Sequence, residues 1–336
     1  MKIAFMGNPG YGGLILEALC SSNAEVVAVF HASHSRVHRL RRVYRRYARN
    51  PKRLAAGFSR LNEKFGQMRD EPYPLPSFGK DVLQLAQARD LPLFDGSFVH
   101  HPDCPERLRS LGVEVILVAS FSEFLPQRVI DVPTLAAINM HPALLPRYRG
   151  WCPEFSAVLN GESRTGISYH LMEKTFDTGN VLLQRSLEIQ VAETTLSLKN
   201  RLAQLAIEAI PDLIALIAND NLKGLQQDQA LASYCRLEKN FNLIDESKSV
   251  KQIRQLINAC CDGGMLGRPY FSHNGHKLSV LSHGHDGWRF EASDGAIEFD
   301  VIRYKHRTYQ GDDLRKLRDT LGASLMANEI LPIDRR

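Results

Sequence analysis

Four short apolar runs constrain this chain more than any other feature: KIAFM at 2–6, EVVAVF at 25–30, VEVILVA at 113–119 and LAAINM at 135–140. None shows the polar alternation of a strand with one wet face, so each needs cover on both faces. Between them lie stretches with helical spacing, Leu14–Leu19 and a segment near Lys80–Arg89. Buried strands alternating with helices predict an α/β fold with a mostly parallel, doubly wound sheet. Further strands are expected at LPLF (91–94), Ile167–Met172 and Val181–Ile189, the last two around the turn TFDTGN. Leu198, Leu202, Leu205, Ala209, Leu213 and Leu216 recur at steps of three and four. They predict a long amphipathic helix that Pro211 should kink.

The texture changes after about Leu222. GLQQDQALASY is polar and linker-like. Beyond it KLSVLSH, GWRFEAS and AIEFDVIRY are separated by turn residues and predict hairpins of a small β domain. No run of eighteen apolar residues is present, which predicts no membrane span. The opening MKIAFMGNPG reads as a strand and turn rather than a signal peptide. The 6 cysteines are scattered without a C-x-x-C pair. A cytoplasmic location is therefore expected.

The chemistry is concentrated in INMHPALLPRYRG, residues 138–150. Ligands of open parallel sheets sit beyond the carboxyl ends of the strands, and Asn139 and His141 lie at such an end. Pro142 biases His141 toward an extended backbone, and in an extended chain residues two apart point the same way. Both side chains should therefore face one cleft. An imidazole can take a proton near neutrality. An amide can donate to an oxygen on which negative charge builds. The plain alternative is a capped strand end. Asp177, in the turn FDTG, is the best candidate to orient the imidazole or relay a proton, although Asp also favours turns for local reasons. Cys152, between Trp151 and Pro153, reads as a packing residue. With no protein nucleophile in the set, the substrate itself would attack, as when an amine meets an activated acyl donor.

INMHPALLPRYRG resembles the Asn-x-His-x-x-Leu-Leu-Pro-x-x-x-Gly signature of formyltransferases that use 10-formyltetrahydrofolate. TGISYHLMEKTFDTGNVLLQ resembles the Thr-Gly…Asp-x-Gly segment of that family, and Asp177 follows Asn139 by the expected 38 residues. MKIAFMGNP, VILVASFSEFLP, TTLSLKNRLAQLA and QQDQALASYCRLEKNFNLID are similar to other parts of it. The resemblance implies a Rossmann-like formyltransferase domain over 1–192 with a basic insertion at about 31–78. It further implies a linker helix at 193–222, a small C-terminal β-barrel (OB-like) domain at 223–310 and a tail at 311–336. It implies a catalytic set of Asn139, His141 and Asp177. Phe121, Ser122, Leu125, Pro126, Ala143, Leu144, Leu145 and Pro146 would line the folate site, and no metal is implied. Ser122 stands where the family usually has glycine, and Ala143 where serine is common. Trp151-Cys152-Pro153-Glu154 replaces the Ala-Ala-Pro-Ile of the enzymes acting on methionyl-tRNA. The expected acceptor is accordingly a small amine, such as an amino-sugar nucleotide, with methionyl-tRNA as the alternative. A folate-binding protein without turnover is the reading from another class.

Other signals carry less. GNPGYGG does not satisfy G-x-G-x-x-G, and the second strand ends in Phe30-His31 with no acidic residue for a ribose, so no dinucleotide is expected. The histidines of VHHPDC, SHNGH and SHGH fit no zinc spacing. Net charge is only +5, yet the segment Arg36–Arg53 holds many arginines and no acidic residue. It could grip RNA phosphates, hold another anionic partner, or be a solvated helix face.

Overall fold

The computed structural model describes residues 1–31, 81–237, 240–260, 267–285, 287–305 and 307–328. The expected insertion at about 31–78, with the Arg36–Arg53 block, lies outside the described residues apart from His31.

Seven strands form the main sheet: β1 (Lys2–Gly7), β2 (Glu25–His31), β3 (Leu93–Asp95), β4 (Val115–Ala119), β5 (Ala136–His141), β6 (Arg164–Leu171) and β7 (Val181–Glu188). Their order is β3-β2-β1-β4-β5-β6-β7. β1 pairs in parallel with β2 and β4, β2 with β3, and β4 with β5. β6 reverses direction against β5. The apolar runs fill both faces of the sheet. Ala4, Met6, Ala28, Phe30, Ile116 and Val118 join one core cluster, while Ile3, Phe5, Val29, Val115 and Leu117 are buried at the alternate positions. Burial on both faces is why these strands lack polar alternation.

Helix α1 (Tyr11–Cys20) follows a turn in which Gly10 has φ +98°, and it buries Ile15, Leu16 and Leu19. α2 (Val82–Ala88) starts where the Asp81 carboxylate accepts the Leu83 N–H. α3 (Cys104–Ser110), α4 (Gln127–Ile130) and α5 (Pro153–Leu159) are short. The expected long helix is two helices, α6 (Thr195–Glu208) and α7 (Ile210–Ala218). Pro211 lies in the first turn of α7, where its missing N–H leaves no hydrogen bond unmade.

The chain divides into two compact units. One comprises Met1–Arg149, Gly166–Ser186 and Asn200–Ala232; the other comprises Gly150–Thr165, Leu187–Lys199 and Ser233–Arg336. In the second unit α8 (Val250–Ala259) begins with a capping box between Ser249 and Gln252. β8 (Tyr270–His273), β9 (His276–Ser282), β12 (Val301–Tyr304) and β13 (Arg307–Gln310) form an antiparallel sheet in the order β13-β12-β9-β8. β10 (Trp288–Ala292) and β11 (Gly295–Phe299) form a separate hairpin. Phe271 gathers Trp288, Phe290 and Phe299 around it at ring distances of 5.5, 5.7 and 5.4 Å. Helix α9 (Gly311–Asn328) occupies most of the expected tail.

Candidate active site

β5 carries Asn139 and His141 to the carboxyl end of the parallel strands. Its antiparallel register with β6 sets Asn139 opposite His170 and His141 opposite Ser168. Because side chains alternate along strands, these four polar groups share one face of the sheet. The other face is apolar: Ile138, Met140, Ile167 and Tyr169 are buried there.

Asp177 sits in the turn between β6 and β7 with φ +55°, a left-handed conformation rare for a residue with a side chain. The turn is tight. A Cβ on Gly179 would run into the Leu171 carbonyl, so glycine is required there. Asp177 Oδ2 lies 3.7 Å from His141 Nδ1, and Oδ1 lies 3.5 Å from Asn139 Nδ2. The three expected catalytic residues, distant in the chain, therefore meet.

His141 is 4% exposed, and its Nε2–H donates to the Tyr148 carbonyl at 2.8 Å. That bond fixes the neutral tautomer: the proton is on Nε2, and the Nδ1 lone pair faces Asp177. Burial holds the His141 imidazole below its usual pKa by penalising the charged form, and His170 adds to this. Asp177 and the Tyr148 bond oppose it. Tyr148 also has positive φ, +58°.

His170 is a site residue that the sequence reading did not single out. Its Nδ1–H donates to the Leu171 carbonyl at 2.8 Å, leaving Nε2 to accept from Asn139 Nδ2 at 3.1 Å. Nε2 also lies 3.5 Å from Asp177 Oδ1. His170 thus sets which end of the Asn139 amide faces the carboxylate. The signal was present in ISYHL, where polar residues alternate with apolar ones beside a strand whose polar face was already known.

The expected folate-site residues leave β4 and β5, adjacent parallel strands, at the same end as Asn139 and His141. Leu125, Ala143 and Leu145 are buried; Phe121, Pro126, Leu144 and Pro146 are half-buried; Ser122 is exposed. The Ser122 hydroxyl accepts from the buried Asn8 amide at 3.1 Å, so the GNP turn supports this loop. The Ser168 hydroxyl donates to the Ala143 carbonyl at 2.7 Å, and Gln184 Nε2 donates to the Leu145 carbonyl at 3.1 Å. These carbonyls are already held from within, which leaves Leu144 and Pro146 as the more accessible surface of the segment. Phe124 and Phe176, both exposed, meet edge-to-face at 5.3 Å beside the Asp177 turn. Among the described residues no group of three or more His, Cys, Asp or Glu is placed to hold a metal.

Residues 1–214 match the formyl transferase family. The methionyl-tRNA formyltransferase of Geotalea uraniireducens (strain Rf4) is 33% identical over 249 residues, covering 69% of this chain and 79% of its own. That of Geotalea daltonii is 28% identical over 97% of this chain and 98% of its own. Among solved structures, the N-formyltransferase from Helicobacter canadensis, in complex with folinic acid and dTDP-3-aminofucose, has a TM-score of 0.58 at 15% identity, covering 94% of this chain and 97% of that one. WlaRD, a sugar 3N-formyl transferase, has a TM-score of 0.57 at 15% identity, over 94% and 95%. At that identity the structures speak for the fold, and the sequence match, which runs from β1 into α7 and takes in both motifs, decides the rest: this chain belongs to the formyl transferase family.

Proposed function

We propose that this protein transfers the formyl group of 10-formyltetrahydrofolate to an amine, with Asn139, His141 and Asp177 as the catalytic groups. The observation that carries the reading is their convergence, at 3.5–3.7 Å around the Asp177 carboxylate, at the carboxyl end of the parallel strands. The donor would lie against Phe121–Pro126 and Ala143–Pro146, whose half-buried apolar side chains suit a flat ring system.

The residues divide the work. The attacking amine must lose a proton, and a neutral His141 with its lone pair on Nδ1 can accept one. The imidazolium so formed sits beside the Asp177 carboxylate, which stabilises it, and it can give the proton to N10 of tetrahydrofolate as the bond from N10 to the formyl carbon breaks. Asn139 shares its amide hydrogens between His170 at 3.1 Å and Asp177 at 3.5 Å. The longer of these is at the limit of a hydrogen bond, so that hydrogen can turn to the formyl oxygen as charge builds there.

For the acceptor, a small amine such as an amino-sugar nucleotide is the first reading. The exposed Phe124–Phe176 pair beside Asp177 offers apolar faces to a ring-bearing substrate, and Trp151-Cys152-Pro153-Glu154 departs from the tRNA enzymes. Methionyl-tRNA is the second reading, favoured by curated relatives of that name, one of which matches along almost the whole chain. The test is to offer 10-formyltetrahydrofolate with either charged initiator tRNA or a panel of amino-sugar nucleotides, and to identify the formylated product by mass spectrometry. A folate complex without any formylated product, across both acceptor classes, would favour the binding-protein reading instead.

A further inference from the structure

Arg149 is 1% exposed and Gln227 is 5% exposed, and neither belongs to the catalytic set. Gln227 Nε2 donates to the Asp177 carbonyl at 2.9 Å and to the Gly179 carbonyl at 2.7 Å. Its Oε1 accepts from Arg149 Nε at 3.2 Å and Nη2 at 2.7 Å. Both amide hydrogens and both oxygen lone pairs are thereby used. The guanidinium can only donate, so it dictates which end of the Gln227 amide faces it and which end must face the turn. The same amide holds the chain on either side of Thr178, and with it the left-handed Asp177 backbone. Arg149 also follows Tyr148 directly, and the Tyr148 carbonyl fixes the His141 tautomer. One buried pair thus reaches both halves of the proton path.

We propose that Gln227 is a positioning residue for catalysis: oriented by Arg149, it holds the Asp177 turn so that the carboxylate meets His141. The inference rests on the assignment of Asp177 as catalytic. It explains why a polar, linker-like stretch, GLQQDQ, sends a glutamine into the interior. Without Gln227 two turn carbonyls would lose their donor, and the turn would be free to relax from φ +55°. A displacement of about 1 Å at the carboxylate can cost about 10²-fold in rate.

The decisive variant is Gln227→Glu. It keeps an oxygen for Arg149, but sets a second oxygen against two carbonyls, which repels the turn while the new carboxyl is ionised. Protonation restores a donor. At pH 8 kcat should fall by about 10–10² with KM for the formyl donor unchanged. The ratio of variant to wild-type kcat should then climb as pH falls. Gln227→Asn, one methylene too short to reach both groups, should lose kcat equally at all pH values. It carries the test if the glutamate variant does not fold. Wild-type kcat per folded molecule in both variants, or a pH-independent ratio for Gln227→Glu, would overturn the proposal. Asp177→Asn in the same assay separates the two levels. An active Asp177→Asn enzyme removes the catalytic assignment itself, whereas an inactive one beside an unaffected Gln227→Glu removes only the positioning role.

Discussion

Asp177 keeps a backbone conformation that costs about 1–3 kcal/mol for a residue with a side chain, and its neighbours keep it there. The clamp from Gln227 and the bare Cα of Gly179 hold its carboxylate beside His141. Asn139, on β5, is easier to remove. Asn139→Ala should lower kcat by about 10²–10³ with the thermal midpoint nearly unchanged, measured by steady-state kinetics and scanning calorimetry. The pH behaviour follows from His141. Burial keeps its folded pKa below the free value of about 6.5. The unfolded chain therefore binds a proton first as pH falls, and the native state loses stability from about 6.5 down to the folded pKa. With His141 as the proposed base, activity requires the neutral form, so kcat/KM should hold through neutrality and fall on an acid limb below about 6.5. The meeting of Asn139, His141 and Asp177 was legible because motif and spacing marked them. His170 was not, because its role appears only once β6 is laid against β5 in register. Gln227 was still less so, since its reach to Asp177 depends on tertiary folding across fifty residues of chain.

At the scale of elements, the buried strands were legible because continuous apolar runs have few other uses. The split of the expected long helix at Ala209 was not fully legible. Pro211 was expected to kink one helix, and instead starts a new one in its first turn. The turn between β6 and β7 is where an element can be tested. Gly179→Ala drives a methyl into the Leu171 carbonyl, and should destabilise the protein by about 3 kcal/mol or more on denaturant unfolding. Ser249→Ala breaks the capping box of α8 and should cost about 1 kcal/mol by the same measurement. It should leave kcat at the wild-type value.

At the scale of the whole molecule, curated relatives by sequence are methionyl-tRNA formyltransferases, while structures of the same fold include sugar N-formyltransferases. Formyl transfer is common to both, and the acceptor divides them. Ionic strength offers a discriminating measurement. A tRNA acceptor gripped through phosphates would show kcat/KM falling steeply with salt. A small amine is expected to show a shallow dependence. The acceptor was the least legible part of the sequence, because Trp151-Cys152-Pro153-Glu154 departs from the tRNA-enzyme pattern without marking what replaces it, and the Arg36–Arg53 block suits RNA, another anion or a solvated face alike. The most direct test of the central claim compares wild type with Asp177→Ala at equal folded concentration, following tetrahydrofolate release and formylated amine together. Wild type should yield the two products in equal amounts and the variant neither at a comparable rate. Equal rates from both proteins would contradict the account.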